Sequence, residues 1–275
     1  MTDQPSAGPT VAVILAWTGD SRELVPVASE QPAPGVADSW LVDYGRVRGL
    51  RLHRERFTGA CLDHYGVPVS LAGEFFAAAC AAVPDHGRWF PRVEFHRDRG
   101  FLLRLRMAPD GPASVVMTTA TGPDPRKQPA IKGPDLGMLS RLRAAAASQG
   151  ASEVLLVSRG GAVLEGALSS VLWWRGNALC LPPPHLPLLP GVTRRLILDI
   201  AASRQVRVRF EVCPPEALDG TEIWTASALS GIRAVTGWTG HDISPGPAER
   251  AASWQRDLLA MTVPVTQELD DNQPR

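Results

Sequence analysis

The sequence predicts an α+β fold of mixed α/β character, divided into two unequal domains. Short apolar or β-branched runs, read as strands, are interspersed with segments of helical periodicity, without the regular alternation of a doubly wound sheet. The stretch 122–129 holds three prolines and no apolar periodicity, which reads as a linker. The domains then run 1–121 and 132–275, with residues 122–131 between them. A length of 275 residues allows a sizeable core, in one large or two modest domains.

Residues 1–10 are polar and Pro-rich, and the apolar run 11–17 reads as a strand. A Pro- and Glu-rich connection follows, through about residue 35. Residues 39–43 and 46–52 read as two strands around a tight turn at Tyr44-Gly45. Helices are expected over 53–65 and 71–83, the second stopped by Pro84. The runs 93–95, 101–107 and 114–119 predict an antiparallel meander, and in the middle one Arg104 and Arg106 alternate with apolar residues to give a basic face. Leu136, Leu139, Leu142 and Ala146 mark one face of a helix that begins after Lys132 and closes at Gly150. Strands over 153–158, 162–165, 169–174 and 178–181 lead to a Pro-rich loop, 182–190, and a helix over 192–203. Strands over 207–212, 222–226 and 232–236 precede a last helix, 247–261, and a polar tail from Thr266 that reads as frayed.

Composition narrows the partners. Lys plus Arg and Asp plus Glu both number 28, a formal net charge of zero, so nothing at chain level points to nucleic acid or a membrane surface. An anionic metabolite would be met by local arginines, which suit bidentate carboxylate or phosphate recognition. Cys61, Cys80, Cys180 and Cys213 lie far apart with no paired spacing; no metal site or redox dithiol is expected, and the thiols read as reduced core residues. The run 11–17 is too short to span a bilayer and has no basic residue before it, so a cytoplasmic protein is expected.

Three pieces carry chemistry. Lys132 sits where an extended segment enters a helix, and Glu165 lies 165 − 132 = 33 residues on, at a strand end before Gly166. Singly, they read as a solvated surface charge and a turn former. In a cofactor site, the glutamate could instead hold a pyridine nitrogen protonated, while the lysine carries an aldehyde as a Schiff base and shuttles a proton. Gly191-Val192-Thr193 opens a helix whose N–H groups and threonine hydroxyl suit a dianionic phosphate, or is merely a turn before a capped helix. Residues 225–229 offer further hydroxyl and amide donors after another strand.

Lys132, Glu165-Gly166-Ala167-Leu168-Ser169-Ser170, Leu189-Pro190-Gly191-Val192-Thr193-Arg194 and Glu222-Ile223-Trp224-Thr225-Ala226-Ser227-Ala228, in this order and spacing, resemble the class IV aminotransferase family. These are the fold-type IV pyridoxal-phosphate enzymes, D-amino acid aminotransferase-like in architecture, and the resemblance covers about residues 38 to 240. It implies pyridoxal 5'-phosphate as cofactor, with Lys132 as the catalytic residue bonded to it and Glu165 on the pyridine nitrogen. It implies that Val192 and Thr193 bind phosphate, that Ser227 and Ala228 close the cradle, and that Ser170 lines the cofactor site. His53-Arg54-Glu55-Arg56-Phe57 is similar to the family's H-x-x-R-L segment, so Arg56 inherits a phosphate contact. A homodimer follows by the same resemblance.

Ser170 and Asp135 stand where the family often has Asn, and Gly137 where branched-chain enzymes have Tyr. The run from Ser227 to Arg233 looks more like the 4-amino-4-deoxychorismate lyase branch than the aminotransferases. The implied reaction releases pyruvate and gives 4-aminobenzoate, in folate biosynthesis. A dicarboxylate substrate calls for arginines, and Arg106 and Arg233 are the candidates. The alternatives are a class IV aminotransferase acting on another amino acid or amine, and a non-catalytic or cofactor-free relative.

Overall fold

The structure, a computed structural model, describes residues 13–28 and 33–270 and consists of two compact units, Met1–Asp110 with Val263–Arg275, and Gly111–Thr262. Residues 1–12, including the first two of the expected opening strand, lie outside the described residues.

The first unit runs β1 (Val13–Thr18), β2 (Glu23–Pro26), β3 (Val36–Ser39), β4 (Val42–Asp43), β5 (Arg46–Val47), α1 (Leu50–Tyr65), α2 (Val69–Ala81), β6 (Arg88–Trp89), β7 (Arg92–His96) and β8 (Gly100–Leu105). Five strands form an antiparallel sheet in the order β2-β1-β8-β7-β3. Helical spacing puts His53, Phe57 and Cys61 of α1, and Ala72, Phe75, Phe76, Ala79 and Cys80 of α2, on buried faces. Their rings make the core: Phe75 stacks on Phe101 and Trp40 meets Phe76, both at 4.7 Å between centroids. Each fully buried ring of this size stabilises by about 2 kcal/mol.

The expected turn forms between β4 and β5, where Tyr44 and Gly45 take φ of 47° and 71°, the two positive values a two-residue hairpin turn requires. The strands around it are shorter than expected. Residues 36–39 pair with β7 in the larger sheet, and α1 starts at Leu50 rather than at 53. Neither β2 nor β6 was legible, since pairings of two to four residues leave no periodicity to read. Glu94 of β7 is fully buried, bonded to Arg92 (2.6 Å), Arg104 (2.7 Å) and His96 (3.0 Å).

The second unit runs β9 (Ser114–Thr119), α3 (Leu136–Ala147), β10 (Glu153–Val157), β11 (Val163–Gly166), β12 (Ser170–Arg175), β13 (Ala178–Leu181), α4 (Val192–Ser203), β14 (Arg207–Phe210), β15 (Ile223–Ser227), β16 (Gly231–Thr239) and α5 (Ala251–Ala260). One eight-stranded mixed sheet orders them β11-β10-β9-β16-β15-β12-β13-β14. Both faces are covered, so alternate residues of β10 enter different cores: Leu155 and Val157 join Met117, Val171 and Trp173, while Val154 and Leu156 join Leu139 and Ala146 of α3.

The chain divides elsewhere than at the expected 122–131 linker. β9 does not end a meander; it lies parallel to both β10 and β16, with Val115 and Met117 fully buried, so the break falls at Asp110. After α5 the chain returns to the first unit: β17 (Val263–Pro264) pairs with β5, and α6 (Val265–Asp270) places Glu268 on the Arg51 N–H at 3.1 Å. The part of the tail read as frayed is therefore helical through Asp270.

Candidate active site

Strand registers bring the chemistry to one end of the second unit's sheet. Leu155 lies opposite Gly166, Ser170 opposite Ala226, Ser227 opposite Gly231, and Ser114 opposite Ala234. The C-terminal ends of β11 and β15 thus share an end with the starts of β9, β10, β12 and β16.

Glu165 stands at that end and is buried. Its Oε1 accepts two hydrogen bonds, from Arg126 Nη1 at 2.6 Å and from the Leu189 N–H at 2.8 Å. Its Oε2 takes part in no hydrogen bond with a described residue. Burial pushes the carboxyl above its ordinary range, opposed by Arg126, the Leu189 N–H and Arg194. Because Oε1 is fixed as an acceptor, any proton this carboxyl holds or receives sits on Oε2.

The start of α4 packs directly beside β12. A Cβ built on Gly191 would fall 2.6 Å from Ser170 Oγ and 3.4 Å from Arg194 Cβ, so a side chain here would turn Ser170 out of its rotamer or push the helix start outward. No side chain caps the helix, and the N–H groups of Val192 and Thr193 bond to no described residue. Both residues are buried, and the Thr193 hydroxyl likewise has no hydrogen-bond partner among the described residues. Unsatisfied donors at a buried helix start form an anion site.

Lys132 is half-buried in the loop before α3, between buried Ile131 and Gly133, with φ 146° at the glycine. The helix itself starts four residues later, at Leu136. Both flanks of the lysine are tied down. Asp135 accepts the backbone N–H groups of Lys127 (3.1 Å) and Gln128 (3.0 Å), and Arg126 is bonded to Glu165. Asp135, read as a departure from the family, is thus the brace of this loop.

Ser227 Oγ accepts the Ser230 N–H at 3.2 Å, shaping the β15–β16 turn that carries Ala228. Gln255 of α5 pins the same turn through the Ile232 N–H (2.7 Å). The guanidinium of Arg233, next on β16, donates no hydrogen bond among the described residues; burial lowers its pKa, Glu153 opposes this and Arg143 adds to it. The two remaining sequence candidates lie in the first unit. Arg56 grips Asp38 with two parallel bonds of 2.8 Å, and His53 adds a third at 2.7 Å. Burial raises the Asp38 pKa, but Arg56 and His53 overcome it and hold it well below the usual carboxylate range. Arg106 donates to the Phe90 carbonyl (2.7 Å) and Ser39 Oγ (3.3 Å) and lies 4.8 Å from the Phe90 ring. Burial, with Arg92 and Arg104 nearby, pushes its pKa down to about 10.

Sequence reasoning missed Asp38, Asp124, Arg126 and Glu153. Asp124 and Arg126 lie in the supposed linker, yet their side chains are 9% and 4% exposed. Their signal was available: opposite charges two residues apart in a Pro-rich segment without periodicity. Glu153 is buried at the start of β10, where its carboxylate accepts from Ser169 Oγ (2.9 Å) and holds the β11–β12 loop.

The pattern of the family described as "Amino-transferase class IV" matches residues 35–238. The chain belongs to the class IV aminotransferase family, a family of enzymes, and its architecture is that of the fold-type IV enzymes. It is similar to a bifunctional aminodeoxychorismate lyase / D-amino acid transaminase of Mycobacterium tuberculosis, 32% identical over 93 residues, which are 31% of this chain and 32% of that protein. The match thus spans about a third of that relative's length. Among solved structures, a hypothetical aminotransferase of M. tuberculosis in its alpha-ketoglutarate- and PMP-bound form superimposes with a TM-score of 0.75 at 19% identity, covering 93% of this chain and 99% of that one. The Escherichia coli branched-chain amino acid aminotransferase gives 0.73 at 18% identity, covering 90% and 93%. At such identities the likeness is one of fold.

Proposed function

We propose that the protein is a pyridoxal-phosphate-dependent lyase of the 4-amino-4-deoxychorismate type, releasing pyruvate and leaving 4-aminobenzoate. One observation carries the reading: an uncapped, buried helix start and a buried carboxylate with an unengaged Oε2 share one end of the sheet. A phosphate fits the first and a ring N–H fits the second. When bound, pyridoxal phosphate supplies an aldehyde that links to amines and a ring that stores an electron pair.

The residues divide the work. Val192 and Thr193 hold the phosphate through backbone N–H groups and a hydroxyl, Ser227 and Ala228 close the cradle, and Ser170 lines it against Gly191. Glu165 Oε2 shares a proton with the ring nitrogen. The Lys132 amine would hold the cofactor's aldehyde and, when free, would take the proton from the amine-bearing carbon of the substrate. The C–O bond to the enolpyruvyl group then breaks, the carbocycle becomes aromatic, and the departing enol gains a proton to become pyruvate. Arg233, whose guanidinium donates to no described residue, meets a substrate carboxylate. The role of Arg56 on phosphate rests on the family resemblance, as do a homodimer and a place in folate biosynthesis; that of Arg106 rests on the need of a dicarboxylate substrate for arginines, and a cytoplasmic location on the short apolar run 11–17.

A second reading, transamination of an amino acid, is favoured by the double activity in the name of the M. tuberculosis relative. Cofactor-loaded protein should convert aminodeoxychorismate to equal amounts of pyruvate and 4-aminobenzoate. The Lys132→Ala variant should lose both the products and the visible absorbance of lysine-bound cofactor. Absence of both products with the native protein rules out the lyase. Conversion of the cofactor to its amine form by an amino acid alone identifies a transaminase.

A further inference from the structure

Arg126 is bonded to three chain segments at once. Its Nε and Nη2 grip Asp124 at 3.0 and 2.8 Å, Nη1 donates to Glu165 at 2.6 Å, and Nη2 also donates to the Pro187 carbonyl at 3.0 Å. The Leu189 N–H, two residues beyond that carbonyl, closes the ring of contacts on Glu165 Oε1. We propose that Arg126 is a positioning residue for the ring-nitrogen carboxylate. It turns Glu165 so that Oε2 alone is presented to the cofactor, and it locks that carboxylate to the loop that leads into the phosphate helix. The inference rests on the cofactor reading of the preceding subsection.

Geometry and charge both support it. A planar guanidinium spends four of its five N–H groups on three acceptor groups here, which the single ammonium of a lysine cannot reproduce. Bonded to Glu165 alone, Arg126 would cancel the charge that attracts a protonated ring nitrogen. Asp124 prevents this. With both carboxyls ionised, two carboxylates against one guanidinium leave the trio with one net negative charge, aimed through Oε2; burial opposes the ionisation of Glu165, while Arg126, the Leu189 N–H and the nearby Arg194 favour it. Protonation of a pyridine nitrogen beside it neutralises the trio, so the cluster favours the protonated, electron-withdrawing ring. Arg126 itself stays a cation: burial would lower its pKa, but Asp124 and Glu165 more than compensate.

The test compares native protein with Arg126→Met, Arg126→Lys and Asp124→Asn, using pyridoxal phosphate labelled with nitrogen-15 in the ring. The readouts are cofactor affinity, the ring-nitrogen chemical shift across pH, and the melting temperature without cofactor. Arg126→Met should weaken affinity by about tenfold or more, the scale of a lost hydrogen bond to a charged group. Arg126→Lys should recover only part of this. Asp124→Asn keeps an oxygen for Arg126 but removes a charge, so the ring nitrogen should lose its proton at lower pH than in the native protein. A purely structural brace would lower the melting temperatures and leave the nitrogen titration of the folded variants in place; that result overturns the proposal. If Arg126→Met fails to fold, Asp124→Asn decides alone through the titration. Native protein that takes up no pyridoxal phosphate overturns the cofactor reading and this inference together. Native uptake with an unmoved nitrogen titration in the variants overturns this inference only.

Discussion

Replacing Gly191 by alanine isolates the contact that joins the phosphate helix to the sheet. The backbone there, φ −68° and ψ 122°, is open to alanine, so the substitution adds no torsional strain. What it adds is a methyl 2.6 Å from Ser170 Oγ, well inside contact distance, and 3.4 Å from Arg194 Cβ. Either the serine leaves its rotamer or the first turn of α4 moves outward. Overpacking of this kind costs about 1–3 kcal/mol, and for a protein of this size a loss near the middle of that range lowers the melting temperature by roughly 4–8 °C. The double variant with Ser170→Ala separates cause from coincidence, because the nearest remaining atoms, Arg194 Cβ at 3.4 Å and Ser170 Cβ at 3.9 Å, lie in ordinary contact. Thermal melts of the two single variants and the double should show non-additivity, with the double more stable than Gly191→Ala alone. A Gly191→Ala protein that melts with the native one, or a double variant no better than the single, would refute the packing argument.

Two further outcomes test other parts of the molecule. Burial raises the Glu94 pKa, but His96, Arg92 and Arg104 together hold it down at about 2, against an ordinary 4.5. A depressed carboxylate stabilises fully above its unfolded pKa and loses that contribution as pH falls through the folded one, here between about 4.5 and 2. The loss is about 3 kcal/mol, and Glu94→Gln should remove that share of the acid sensitivity of the first unit in melts taken from pH 6 to pH 2, leaving the share that the depressed Asp38 carboxyl contributes. For the lysine loop, Asp135→Ala should cost about 1 kcal/mol by removing the acceptor of the exposed Lys127 and Gln128 N–H groups, which water then solvates. Asp135→Asn, which keeps an acceptor oxygen, should be close to neutral in the same denaturant titration.

Helices and the longer strands of the second unit were legible because burial there repeats at 3.6 or 2 residues, as in Leu139 and Ala146 of α3 or the alternating sides of β10. The family motifs placed Glu165, Ser170, Val192 and Thr193, and their neighbourhood follows from the Ser170–Gly191 approach and the Glu165–Leu189 bond. What stayed hidden depends on tertiary pairing. β9 looks like any antiparallel strand until β10 and β16 are found on either side of it. Asp124 and Arg126 lie in a segment whose lack of periodicity signals a linker, because one buried ion cluster, not an apolar face, holds it. Asp38 was visible in an apolar run, but nothing local reveals that Arg56 is its partner 18 residues away.

The return of residues 263–270 to β5 and α1 makes the second unit an insertion within the first. A ribosome therefore releases every strand of the eight-stranded sheet before it releases the last strand of the small sheet that contains the Tyr44-Gly45 turn. The inserted unit can close on contacts made wholly within 111–262, while the host unit waits for its final strand across that whole interval. A fragment cut after Asp110 would present β5 as an open edge, so a stable isolated first unit calls for residues 263–270 to be grafted back beside it.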